Sequence, residues 1–253
     1  MARNILITGA SAGIGLETAR AFAKYGDNLY LCARRLAKLT ELQEELRAAY
    51  PNIKVEVFQL DVSKRQETED VLGRLLAKAG TIDVLVNNAG LAQGLDKYQE
   101  SSLDDVERMI DTNIKGLLYV TRLVLPVMLK AGRGQIINLG STAGIYAYAG
   151  GAVYCATKSA VKTLSDGIRI DTIDTDIKVT NIQPGLVETG FSEVRFHGDK
   201  KRAAEVYAGV KALKPEDIAD IILYTANQPY QVQITDVTVM ATRQATGFMI
   251  ARD

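Results

Sequence analysis

The chain of 253 residues carries 30 basic and 30 acidic side chains, a balance that argues against a nucleic-acid binder, which shows a basic excess on some face. Hydrophobic residues at 47% and charged residues at 24% are ordinary globular values, which excludes disorder or collagen as a description of the whole. No apolar run approaches the roughly 20 residues that cross a bilayer, the first residues do not read as a signal peptide, and Cys32, Cys155 and the single His197 leave neither a disulfide framework nor a zinc site; a reduced, cytoplasmic protein with no membrane partner and no metal is expected.

In chain order, short β-branched runs alternate with longer amphipathic stretches. Strands are expected over residues 4–8, 28–33, 54–59, 82–86, 135–139, 178–183 and 235–239. Their lack of strict polar alternation suits parallel strands covered on both faces. Helical periods fall between them, over residues 14–25, 36–50, 63–78, 103–130, 152–174 and 215–226. The stretch 103–130 reads as two helices joined near Asn113, with Pro126 set to kink the second. Strand–helix alternation without a Pro/Gly/Ser-rich linker predicts one α/β domain over residues 1–253. That domain is doubly wound, with a mostly parallel sheet of about seven strands.

The segment Thr8-Gly9-Ala10-Ser11-Ala12-Gly13-Ile14-Gly15 joins the first strand to the first helix. A glycine-rich turn there lets the backbone approach a pyrophosphate, and the helix N-terminus offers free N–H groups, as in Rossmann-type folds. The spacing G-x-x-x-G-x-G differs from the common dinucleotide fingerprint. NAD-binding folds place an acid at the end of the second strand; this chain has Arg34 and Arg35 instead. Two guanidinium groups, with the Ser11 hydroxyl, suit a 2′-phosphate and favour NADP(H) over NAD. Asp61-Val62 after the third strand can meet an adenine or cap the next helix. Asn88, Ala89 and Gly90 after the fourth leave room for a ribose and nicotinamide.

Tyr154 and Lys158 lie four residues apart on one helix, so they share a face. A neighbouring ammonium is expected to lower the phenol toward the range useful for acid–base work. Ser141, just past the fifth strand, can hydrogen-bond a reacting oxygen. Asn113, a mediocre helix former, marks a helix break that frees a carbonyl near Lys158.

The motifs Thr8–Gly15, Asn87-Asn-Ala-Gly90, Asn113, Ser141, Tyr154-Cys-Ala-Thr-Lys158 and Pro184-Gly185 resemble, in order, those of the short-chain dehydrogenases/reductases. The resemblance implies a catalytic tetrad of Asn113, Ser141, Tyr154 and Lys158. It also implies nicotinamide contacts from Pro184, Gly185, Val187 and Thr189. The segment 185–199, with Ser141-Thr-Ala-Gly144, Tyr148-Ala-Gly-Gly151 and Pro215-Glu-Asp-Ile218, is similar to the NADP-dependent 3-hydroxy acid dehydrogenases, which include serine and allo-threonine dehydrogenases. That narrower resemblance implies hydride transfer between nicotinamide and a small 3-hydroxy acid, and a homotetramer. Reduction of other ketones, aldehydes or 3-oxoacyl thioesters stands as an alternative, and a non-catalytic NADP sensor as a remote one.

Arg195, in a stretch of small and apolar residues, can clamp a substrate carboxylate, or be a surface or interface residue. Tyr148 lines the pocket or packs against Gly150-Gly151. His197 reads as a loop or interface residue, Cys32 and Cys155 as small buried groups. Residues 187–210 are expected to form a loop that closes over substrate.

Overall fold

A computed structural model describes residues 2–253. The strands are β1 (Asn4–Thr8), β2 (Asn28–Ala33), β3 (Val55–Gln59), β4 (Val84–Asn87), β5 (Gly134–Leu139), β6 (Ile177–Pro184) and β7 (Asp236–Val239). They form one sheet in the order β3-β2-β1-β4-β5-β6-β7, parallel throughout. The order reverses between β1 and β4. In open α/β sheets a crevice opens at the carboxyl ends of the strands beside such a reversal.

Each strand feeds two cores, because successive side chains point to opposite faces. Ile5, Ile7, Leu29 and Leu31 pack with α1 (Gly13–Tyr25), α2 (Leu36–Ala49) and α9 (Pro215–Ala226). Leu6, Tyr30, Leu85 and Ile136 pack on the other face with α3 (Arg65–Ala79) and α5 (Leu117–Ala131). Helix α6 (Ala152–Asp171) lies on this second face and is pinned by a buried polar chain. Asn87 Nδ2 donates to Thr121 Oγ1 and to Asn138 Oδ1, both at 2.9 Å, and Asn138 Nδ2 donates to Ser165 Oγ at 2.9 Å. These bonds pair the buried amide N–H groups and fix α5 and α6 against β4 and β5.

Residues 103–130 form two helices joined at Asn113, as expected, but the joint is a wide turn and not a break. Helix α4 (Leu103–Ile110) continues through one wide turn, Asp111–Gly116, with i→i+5 hydrogen bonding, into α5, which runs on through Pro126. A single wide turn absorbs the misfit without ending the rod. One expectation is corrected: residues 187–210 are not an open loop but hold two short helices, α7 (Phe191–Arg195) and α8 (Lys200–Tyr207). Asp199 caps α8 by accepting from the Lys201 and Arg202 backbone N–H groups.

Candidate active site

The carboxyl ends of the strands border a crevice of roughly 1260 Å³. An ordinary small-molecule pocket holds about 300–1,000 Å³, so this one has room for an extended ligand and a second small one. Its floor is the glycine turn. Gly13 opens α1 with φ +54°, a left-handed conformation that disfavours a side chain. Gly15 does not line the crevice. It sits behind the turn, where a Cβ would come within 2.6 Å of the Gly9 carbonyl oxygen. Asn88 staples this turn by donating to the Thr8 carbonyl at 2.9 Å, and Thr8 Oγ1 accepts from the Asn88 and Ala89 N–H groups at 3.1 Å.

The remaining residues assigned to the cofactor all border the crevice: Gly9, Ser11, Gly13 and Ile14 at the turn, then Arg34, Arg35, Asp61, Val62, Asn88, Ala89 and Gly90, and opposite them Pro184, Gly185, Val187 and Thr189. Arg35 reaches back to the turn and donates to Ser11 Oγ through Nη2 at 3.1 Å. Two of the three groups expected around a 2′-phosphate therefore already meet. Asp61 accepts from Ser63 N–H and Oγ through Oδ1, closing a tight turn before α3.

The wide turn carries Asn113, which is buried behind the crevice wall and does not line it. Its Oδ1 accepts from Leu91 N–H at 2.9 Å, and its Nδ2 donates to the Leu91 carbonyl at 2.8 Å and to Thr157 Oγ1 at 3.1 Å. These bonds tie α4–α5 to β4's exit and to the α6 residue beside Lys158. A Cβ at Gly90 would meet Asn113 Oδ1 at 3.3 Å and Lys158 Nζ at 3.5 Å, so the missing side chain leaves the space both groups face.

Lys158 Nζ is buried, donates to the Leu139 carbonyl at 2.7 Å, and lies 5.9 Å from the centre of the Tyr154 ring. Tyr154 packs on Phe191 with ring centres 5.7 Å apart. Burial dominates both groups. It pushes the Tyr154 phenol above its ordinary value, with Arg195 and Ser141 opposing, and holds Lys158 down at about 8. The expected lowering of the phenol by the ammonium is thus corrected: desolvation outweighs a neighbour that is not in contact with the hydroxyl. The amine titrates near 10.5 when unfolded. Between pH 8 and 10.5 the unfolded chain therefore binds the extra proton, and stability rises with pH on this group's account. The stability of the wild type relative to Lys158→Met should grow between pH 7 and 10, measured by urea melts. A difference constant across that range excludes a desolvated ammonium.

Ser141 Oγ accepts from Ala143 N–H at 3.1 Å and faces the crevice beside Tyr154. Arg195 ends α7 and points inward. Its Nη2 donates to the Tyr148 hydroxyl at 2.6 Å, and its guanidinium lies 5.2 Å from the Tyr154 ring centre and 5.5 Å from that of Phe191. Its Nε is buried without a partner among the described residues. Tyr148 is folded back over Gly151, so it both packs and borders the crevice. His197 stays outside, with Nε2 3.0 Å from Asp105 Oδ2 of α4. Cys32 and Cys155 are buried thiols, Cys32 pushed up to about 12 by burial.

Part of the wall was not anticipated from sequence. Tyr207 of α8 donates to the Val187 carbonyl at 3.2 Å and pairs with Ser192 Oγ at 2.8 Å. The tail after β7 returns across the opening: Gln244 Oε1 accepts from Leu186 N–H at 2.9 Å, Gly247, Phe248 and Ile250 border the crevice, and Arg252 donates to the Val206 carbonyl at 3.2 Å. The tail has no hydrophobic period, so its pattern carried no signal for a wall.

The family described as short chain dehydrogenase matches residues 3–200. An NADP-dependent 3-hydroxy acid dehydrogenase of Schizosaccharomyces pombe is 45% identical over 96% of this chain and 93% of its own length. The Salmonella typhi NADP-dependent 3-hydroxy acid dehydrogenase YdfG is 46% identical over 95% and 96%. Among solved structures, the closed form of serine dehydrogenase complexed with NADP+ superposes with a TM-score of 0.92 at 42% identity, covering 99% of both chains. A match of this extent, joined to relatives of this identity along nearly the whole sequence, means that the chain belongs to the short-chain dehydrogenase family.

Proposed function

We propose that the protein is an NADP-dependent oxidoreductase interconverting a small 3-hydroxy acid and its 3-oxo acid, with Tyr154 as general acid/base. The residues present fit the dinucleotide. The N-terminus of α1 opens on the crevice, and Arg35 and Ser11 are already joined beside Arg34. Gly9, Ser11, Gly13 and Ile14 would hold the pyrophosphate, Arg34 and Arg35 the 2′-phosphate, and Asp61 and Val62 the adenine. Asn88, Ala89, Gly90, Lys158, Pro184, Gly185, Val187 and Thr189 would hold the nicotinamide half. Bound NADP supplies the hydride acceptor, and its reduced form the donor.

The chain's own groups move the proton. In oxidation the Tyr154 oxygen takes the substrate hydroxyl proton while Ser141 holds the same oxygen in place. Lys158 binds the nicotinamide ribose beside Tyr154, and Asn113 completes a water-mediated relay that restores the proton balance. The Arg195 guanidinium receives the carboxylate. One observation carries the acid specificity: a guanidinium that borders the crevice is fixed 5.2 Å from the Tyr154 ring centre. We read the whole chain, residues 1–253, as one catalytic unit in which the 187–210 segment covers substrate. A homotetramer in the cytoplasm completes the reading. Exposed Leu103, Ile170 and Ile173 support assembly. Among the described residues no helix is long and apolar enough to cross a membrane.

Arg195→Ala should raise the KM for 3-hydroxybutyrate or serine about 10–100-fold, the value of one or two charge-assisted hydrogen bonds. Neutral secondary alcohols should respond hardly at all. Equal changes in both substrate classes, measured with saturating NADP, exclude the carboxylate role.

A further inference from the structure

We infer that Gln93, braced by Arg108, is a positioning residue for the Arg195 guanidinium; the inference rests on the carboxylate reading above. Gln93 lies in the irregular stretch between β4 and α4, yet it is only 6% exposed. A buried amide is stable there only with both ends paired. Its Oε1 accepts from Arg108 Nη1 at 3.1 Å, and its Nε2 donates to the Val194 carbonyl at 2.5 Å. The next residue continues the grip: Gly94 N–H donates to the Arg195 carbonyl at 2.9 Å.

These two carbonyls belong to the peptide planes on either side of the Arg195 Cα. Holding both planes fixes the direction of its Cα–Cβ bond. Helix α7 has five residues, and within its own segment the Val194 carbonyl meets only the His197 N–H at 3.3 Å, as expected where the last carbonyls of a helix run out of partners. The outer end of the side chain is held by Tyr148, so backbone and tip are both anchored where Arg195 borders the crevice. Arg108 contributes a formal charge, which strengthens its bond to Oε1 and polarises the amide that grips Val194. Asp105 and His197 add a second, exposed link between α4 and the end of α7.

Gln93→Leu removes both side-chain bonds at similar volume. Gln93→Glu keeps the acceptor for Arg108 but turns a carboxylate toward the Val194 carbonyl. In both, the KM for 3-hydroxybutyrate and the Ki of butyrate, which has the carboxylate without the hydroxyl, should rise about tenfold or more. The kcat at saturation and the kinetics of neutral secondary alcohols should stay within about twofold. In an Arg195→Ala background the same substitutions should change neither constant further, as coupled sites require. Arg108→Ala, at an exposed position, tests the brace without disturbing the core and should shift both constants the same way by a smaller factor. Unchanged acid constants in folded variants, or an effect that persists at full size without Arg195, overturn the inference. Failure of the carboxylate reading is distinguishable, since it is read from Arg195→Ala alone as equal losses for acid and alcohol.

Discussion

Replacing Tyr154 with phenylalanine should lower turnover about 10²–10⁴-fold, the usual contribution of a positioned proton donor or acceptor, with NADP still bound. The change removes one oxygen. The ring keeps its packing against Phe191 and its place beside Arg195, so the crevice retains its shape. Fluorescence titration of NADPH separates the two effects, because binding should be nearly unchanged while kcat collapses. The pH profile adds a second signature. Burial holds the phenol above its ordinary value, so oxidation by the wild type should climb with pH as phenolate becomes available. The residual rate of the phenylalanine variant should lose that climb. Unchanged turnover would remove Tyr154 from the chemistry.

The second large effect is expected at Arg34. Arg34→Ala should weaken NADPH about 10–100-fold, the value of a charge-assisted contact to phosphate, and leave NADH almost untouched. The backbone there is held independently, since the Arg34 carbonyl accepts from Gln59 Nε2 at 3.2 Å. Truncating the side chain should therefore not move β2. Arg35 and Ser11 remain joined to each other and keep part of the affinity. Equal losses for both coenzymes, measured by titration, would defeat the 2′-phosphate assignment.

Much of this molecule can be read from local pattern. Strands buried on both faces leave runs such as Ile5-Leu6-Ile7, and the glycine turn announces itself between such a run and a helix. The spacing of Tyr154 and Lys158 needs no more than 3.6 residues per turn. What escaped is what depends on distant parts of the chain meeting. The phenol shift hinges on how completely Phe191, Tyr148 and Arg195 surround Tyr154, and no spacing records that. Helix α7 is too short for a hydrophobic period, so 187–210 reads as loop. Gln93 is an ordinary polar residue in sequence, and its role exists only because α4 supplies Arg108 and α7 supplies Val194. The tail across the crevice is invisible for the same reason, since Gln244 meets Leu186 from 58 positions away.

The wide turn at Asp111–Gly116 gives the rod from α4 to α5 one spare residue. Deleting a single position within it would leave an unbroken helix of ordinary pitch. The faces of α4 and α5 would stay nearly where they are, because the wide turn already takes up that residue, but Asn113 would be drawn off Leu91 and Thr157 while the sheet stayed intact. A frame-preserving deletion of one codon here should thus give a folded, inert protein, whereas the same loss in β4 should give no protein at all.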